Sequence, residues 1–311
     1  MPTVGRVSRV EYDEFGLFHE NATEFGLSYA GPPPVARVTA TLADGRSLSG
    51  LRWGDHQPEL VLLHGGAQNA HTWDTVALAL GRPLLALDLP GHGHSDDGRT
   101  GQLSVHDHAA DVAEAVRALA PQAYAVVGMS LGGLTTLALY ALAPDLVRRI
   151  VLVDVLPSVN PDKARLITDF VDGPPTFASF DDLLARTIEH NPTRTEASLR
   201  RGILHNARQL DNGSWVWRHA RSRPGQGAPE STAEDRASRY AGLWDVVGSV
   251  TVPLLLVRGL AASSVLDDAH EDELRRRLPA AQVRHVEGAG HSVQGDRPIE
   301  LAGLVDDFVP A

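Results

Sequence analysis

Short unbroken apolar runs alternate with stretches of helical periodicity along most of the chain. Leu60-Val61-Leu62-Leu63, Pro83 to Leu87, Ala123 to Val127, Arg149 to Val153, Pro253 to Val257 and Gln282 to Val286 are runs of the kind that fill strands buried on both faces of a parallel sheet. Between and behind them, Thr72 to Leu80, Val105 to Leu119, Leu131 to Ala143, Asp268 to Leu278 and Pro298 to Phe308 read as helices. The clearest carries Val112, Ala115, Val116 and Leu119 at three- and four-residue spacing. Ahead of all these, Val35 to Thr41 and Ser47 to Trp53 alternate on either side of Asp44-Gly45, a hairpin signature. Eight strands, the later ones joined by helices, predict an α/β fold.

Two segments break the rhythm. Residues 1–34 are irregular in pattern and close on Pro32-Pro33-Pro34, so they read as an N-terminal extension. Residues 157–247 carry helical patterns near 161–171, 180–190, 195–209 and 231–246 with no buried strand between them, which predicts a helical insertion. Asp211-Asn212-Gly213 with Trp215 and Trp217 suggests a turn and strand inside it, and Pro224 to Pro229 a loop. The expected organisation is an extension (1–34), an α/β core (35–156 and 248–311) and an inserted helical cap (157–247).

Composition narrows the partners. Twenty-eight Lys and Arg against 39 Asp and Glu give a net charge of −11, which repels nucleic acid and anionic lipid surfaces. The absence of cysteine removes disulfides, thiolate metal sites and a Cys nucleophile together. The first residues lack an apolar signal region and no run is long enough to cross a bilayer, so a cytoplasmic location is expected, with a small-molecule substrate and a monomer or homodimer.

The chemistry concentrates in three places. Gly128-Met129-Ser130-Leu131-Gly132 lies between an apolar strand and an apolar helix, where a serine on a sharp turn needs small neighbours two residues to either side. The first helical N–H, that of Leu131, would then face an oxyanion formed at a carbonyl attacked by Ser130. His64-Gly65-Gly66 after the third strand offers a second donor, the Gly66 N–H, with His64 assigned to orienting the loop. Gly288-Ala289-Gly290-His291 after the last strand puts a histidine on a small-residue loop, a base for Ser130.

Together with Asp88-Leu89-Pro90-Gly91-His92-Gly93-His94-Ser95, these motifs make the chain resemble the α/β-hydrolase fold superfamily over about residues 35–156 and 248–311. The resemblance implies an eight-stranded, mostly parallel sheet flanked by helices, a Ser-His-acid triad, no cofactor and a helical cap after the sixth strand. Where most members carry the acid after the seventh strand this chain has Ala262. Some members keep it at the end of the sixth strand, where this chain has Asp154, so Asp154 is the preferred acid, with Asp267 or Asp268 as alternatives.

The run His92-Gly93-His94-Ser95-Asp96-Asp97 falls one residue short of a binuclear metal pattern, and no metal is assigned to it. Met129, Trp215 and Trp217 are candidate pocket residues, and Trp73 and Trp244 read equally well as packing. The expected function is a serine hydrolase cleaving a small or medium ester, lactone or thioester through an acyl-enzyme on Ser130. Alternatives are a carbon–carbon bond hydrolase of a vinylogous diketone and a noncatalytic ligand receptor. Epoxide hydrolases and haloalkane dehalogenases use an aspartate where Ser130 stands.

Overall fold

The computed structural model describes residues 9–99, 104–171, 173–191, 194–219 and 240–310. Eight strands form one sheet: β1 (Val35–Thr41), β2 (Ser47–Trp53), β3 (Leu60–Leu63), β4 (Leu84–Leu87), β5 (Ala125–Met129), β6 (Ile150–Val153), and, after the insertion and its own three strands, β10 (Leu254–Gly259) and β11 (Gln282–Val286). Their order is β1-β2-β4-β3-β5-β6-β10-β11. The pairs β1–β2 and β2–β4 are antiparallel, and every other pair is parallel.

The apolar runs are continuous because alternate side chains enter two different cores. Val61 and Leu63 of β3 join one cluster with α3 (Val105–Leu119) and α4 (Leu131–Leu142), whereas Leu60 and Leu62 join the other with α2 (Asp74–Leu80) and α11 (Pro298–Phe308). The predicted helix from Thr72 divides into a 3₁₀ turn, Ala70–Trp73, and α2.

The N-terminal segment is less irregular than its sequence. Phe18–Phe25 forms α1, ended by Gly26 in the left-handed conformation (φ 66°). With eight residues it is too short to show a periodicity, and its burial rests on the pair Phe18 and Ala22, one turn apart. Phe18 packs against Trp53 with ring centroids 4.9 Å apart.

The insertion also departs from an all-helical reading. It holds α5 (Pro161–Val171), α6 (Phe180–His190), α7 (Glu196–Asn206) and a three-stranded antiparallel sheet of β7 (Thr176–Phe177), β8 (Ala207–Gln209) and β9 (Trp215–Trp217). The helix expected to reach residue 209 stops at Asn206, because Ala207 to Gln209 pair across the Asp211-Asn212-Gly213 turn with Trp215 to Trp217. Phe177, Leu183, Ile203, Leu204 and Trp215 form a separate small core, against which Tyr12 and Leu17 pack. The loop expected at Pro224 to Pro229 and most of the helix expected at 231–246 lie outside the described residues; α8 spans Leu243–Ser249.

A buried polar network ties extension, core and insertion together. Arg37 on β1 donates to Glu14 (2.8 Å) and to Asp88 (2.9 Å). The two ring nitrogens of His71 face carboxylates, Nδ1 at 2.9 Å from Asp74 and Nε2 at 3.1 Å from Glu14. A ring with both nitrogens donating is an imidazolium. Burial opposes that charge, but the two carboxylates overcome it and raise His71 to about 9. Glu14, which burial alone would raise, is held at about 2 by hydrogen bonds from His71 and Arg37. The ring of His205, from α7, stacks on His71 at 3.8 Å, and its Nδ1 hydrogen-bonds the Tyr12 hydroxyl (2.7 Å).

A histidine whose folded pKa lies above its unfolded value of 6.5 adds stability that is complete below pH 6.5 and is lost as the pH rises through about 9. His71→Gln should therefore lower the melting temperature at pH 6 by several degrees, breaking one partner of a buried pair costing ~3–5 kcal/mol. The gap between variant and wild type should narrow as the pH passes 9. A gap that stays constant across that window would show that the ring is not charged.

Candidate active site

Ser130 caps the N-terminus of α4 with φ 50° and ψ −119°, a backbone conformation that L residues rarely adopt. Its surroundings explain how it is kept there. A Cβ on Gly128 would lie 2.5 Å from the Gly132 carbonyl oxygen, one on Gly132 2.2 Å from the Leu63 carbonyl oxygen, and one on Gly133 2.3 Å from Val155. Strand β5, helix α4 and the end of β3 thus approach at backbone distance, and the serine is lifted clear of the turn they force.

Asp154 follows β6 and also has a positive φ, 47°. It is fully buried, and its carboxylate is saturated: Oδ1 accepts from Gly259 N (3.1 Å) and Ser264 Oγ (2.7 Å), and Oδ2 from Val265 N (3.1 Å) and His291 Nδ1 (3.0 Å). A carboxylate only accepts, so His291 Nδ1 donates to it, and in the neutral ring Nε2 keeps its lone pair. The histidine is fixed from the backbone as well, its N–H donating to the Ser263 carbonyl (3.2 Å). Among the described residues Ser130 Oγ makes no hydrogen bond; the serine–histidine link of unliganded hydrolases is often long and tightens with substrate.

The other carboxylates considered are engaged elsewhere. Asp267 caps helix α9 (Asp268–Arg277) through His270 and accepts from Asn160, while Asp268 pairs with Arg258 (2.8 Å). Ala262 lies in the turn that delivers Ser263, Ser264 and Val265 to Asp154 and His291.

Two backbone N–H groups, those of Gly66 and Leu131, donate to no acceptor among the described residues. Above Gly66 there is open space, with nothing within 4 Å of where a Cβ would stand. The loop is locked from both sides. Leu89 N donates to His64 Nε2 (2.9 Å), which leaves the ring proton on Nδ1 for the Gly65 carbonyl (2.7 Å). Ala67, at φ 61°, donates to His92 Nε2 (3.1 Å), and its carbonyl accepts from Asn206 of the insertion (2.6 Å). Burial pushes both His64 and His92 down, so each stays neutral and able to accept. His92 is a structural acceptor for Ala67, and Asn206, which donates to the Ala67 carbonyl, carries no signal in the sequence.

A cavity of about 170 Å³ adjoins this corner, lined from α1, the loop after β3, the insertion, and α10 (Val293–Asp296). Its walls touch the catalytic corner at Gln68, whose Oε1 accepts from Gly65 N (3.1 Å), and at Ser292, which follows His291. Trp217 lines the cavity. Trp215 does not, contrary to expectation: it is buried in the insertion's own core, edge-on to Phe180 at 5.1 Å. Met129 is buried beneath Gly65, and Trp73 is fully buried in the main core.

His71, Asp74 and His205 hold potential ligand atoms within 4.8 Å of one another. The two rings are only 12° from parallel at 3.8 Å, so their in-plane lone pairs run side by side and do not converge on one ion. Tyr12 and Glu14 already occupy their outer nitrogens.

Among the described residues no helix is long and apolar enough to cross a membrane. The chain is 45% identical to the esterase Rv0045c of Mycobacterium tuberculosis over 300 residues, covering 94% of each. A solved structure of that esterase, described with its inhibition by transition metals, superposes with a TM-score of 0.81 over 95% of this chain and 98% of that one. It is also 29% identical to the sn-1-specific diacylglycerol lipase ABHD11 of Xenopus laevis (94% of this chain, 89% of that one). A 2-(acetamidomethylene)succinate hydrolase of Mesorhizobium japonicum is 27% identical (86% and 93%). The alpha/beta hydrolase fold family matches residues 58–298, and with the sheet order and the strand-to-helix serine described above, the chain belongs to that family.

Proposed function

We propose that the protein is a serine ester hydrolase working through an acyl-enzyme on Ser130. The observation that carries this reading is the 3.0 Å hydrogen bond from His291 to the buried Asp154, next to a serine held at φ 50° on the neighbouring strand end. The likeness to an esterase at 45% identity supports a hydrolase of carboxylic ester type.

In this reading Ser130 Oγ bonds to the ester carbonyl carbon while His291 Nε2 takes its proton. The carbonyl electron pair moves to oxygen, where the N–H groups of Gly66 and Leu131 receive it. Collapse breaks the bond to the alcohol, which leaves with the proton from His291. Water, deprotonated by the same nitrogen, then releases the acid and restores Ser130. Asp154 holds the imidazole in the required tautomer and stabilises its charged form. Lactones and thioesters satisfy the same geometry. The insertion acts as a cap: Asn206 on the Ala67 carbonyl and Trp217 on the cavity wall support a part in shaping the substrate's space.

A fluorophosphonate should leave a single adduct on Ser130, seen by intact mass and peptide mapping and absent from Ser130→Ala; folded protein that takes no adduct would contradict the reading. Asp154→Asn should lower kcat by about 10⁴-fold, whereas Asp267→Asn should change turnover little. Equal effects would transfer the acid's role. His92→Phe removes the acceptor of Ala67 N–H and should lower kcat about 10- to 100-fold with KM nearly constant, since an oxyanion is felt only in the transition state. A change confined to KM would place the loop in ground-state binding instead.

A further inference from the structure

Two arginines of the insertion reach the cavity beside the catalytic corner, and they are treated differently. Arg201 is paired, with Glu24 and Glu20 of α1 around its guanidinium. Arg194, in the turn between α6 and α7, forms no ion pair with any described residue. Its Nη2 donates to Ser198 Oγ, and its Nε is buried without a partner among the described residues. Arg194 is half-buried, and a guanidinium whose Nε is out of reach of water and whose side-chain partner among the described residues is a neutral hydroxyl is better satisfied when an anion completes it.

The place it occupies is prepared. Gly295 on α10 is not in the left-handed region, yet a Cβ there would stand 2.8 Å from Arg194 Nη1. The missing side chain is what lets the guanidinium lie on α10, the helix that starts two residues after His291. From Arg194 the wall runs through Gln294, which reaches Thr72 (3.2 Å) and Gln68 (3.5 Å), to Gly65 and the nucleophile. Three more residues of the same cavity, Gln294, Asn21 and Asp74, hold a buried oxygen with no hydrogen-bond donor among the described residues. The charge of Asp74 is answered by His71, but its Oδ1 is not used. Asp296 and Glu24 act on Arg194 through space without contacting it.

We propose that Arg194 anchors a carboxylate carried by the substrate, so that this enzyme takes half-esters of short dicarboxylic acids. The inference rests on the ester-hydrolase reading. Its chemistry adds one water across the acyl C–O bond, releasing the alcohol and a dicarboxylate. A fixed guanidinium binds a carboxylate through two parallel N–H bonds, which also sets the distance from the anchored end to the ester.

The test compares kcat/KM for mono-4-nitrophenyl succinate and glutarate with the same compounds blocked as methyl esters. Wild type should favour the acid over its methyl ester by about 10- to 100-fold, Arg194→Gln should bring that ratio near one, and Arg194→Lys should keep part of it. Reading the ratio removes any general loss of activity. A wild-type ratio near one, or a ratio that survives Arg194→Gln, overturns the proposal. Binding of free glutarate to Ser130→Ala, followed by calorimetry, separates the two readings. Glutarate should bind Ser130→Ala and not the double variant with Arg194→Gln, whether or not any ester is turned over. Equal binding by both variants counts against Arg194, while failure of every ester together with no fluorophosphonate adduct counts against the hydrolase.

Discussion

The conformation of Ser130 depends on how closely helix α4 can approach the sheet. The first turn of α4 touches the carbonyl of Leu63 on one side and Val155 on the other, at distances that leave no room for a single methyl group at Gly128, Gly132 or Gly133. That contact bends the chain at Ser130, leaves the Leu131 N–H without an acceptor among the described residues, and places the serine beside Gly65 of the loop after β3. Strain at one residue is sustained because packing around it is over-determined, with fully buried side chains on both faces of β3, β5 and β6.

Much of this was legible in the sequence. Strands buried on both faces announce themselves as unbroken apolar runs, and all eight strands of the main sheet lie where such runs or the hairpin pattern put them, within a few residues. The serine turn was legible because its glycines answer a steric demand at fixed spacing. Asp154 came into view only through the family resemblance, which allows an acid at the end of the sixth strand where Ala262 leaves the usual place without a carboxylate.

What stayed hidden depends on partners far apart in the chain. Helix α1 is too short for periodicity to separate it from loop, and its place is set by Phe18 meeting Trp53. The charge on His71 comes from Asp74, close in sequence, and from Glu14, which is not, and no local pattern marks that pairing. The insertion's small sheet was only half visible, since Thr176–Phe177 gives a strand of two residues. The roles of Asn206 and Arg194 rest on what lies across a loop from them, Ala67 and Gly295.

The position of Asp154 carries one more implication. It follows the last core strand before the insertion, yet three of the four hydrogen bonds to its carboxylate come from residues 259–265 on the far side of it. Asp154 therefore staples shut the gap into which about ninety residues are spliced, and Asn160, just inside the insertion, adds its own bonds to Val265 and Asp267. A splice closed in this way lets the sequence between Leu156 and Gly248 vary while the hydrogen bonds that Asp154 receives from Gly259, Ser264 and Val265 are kept.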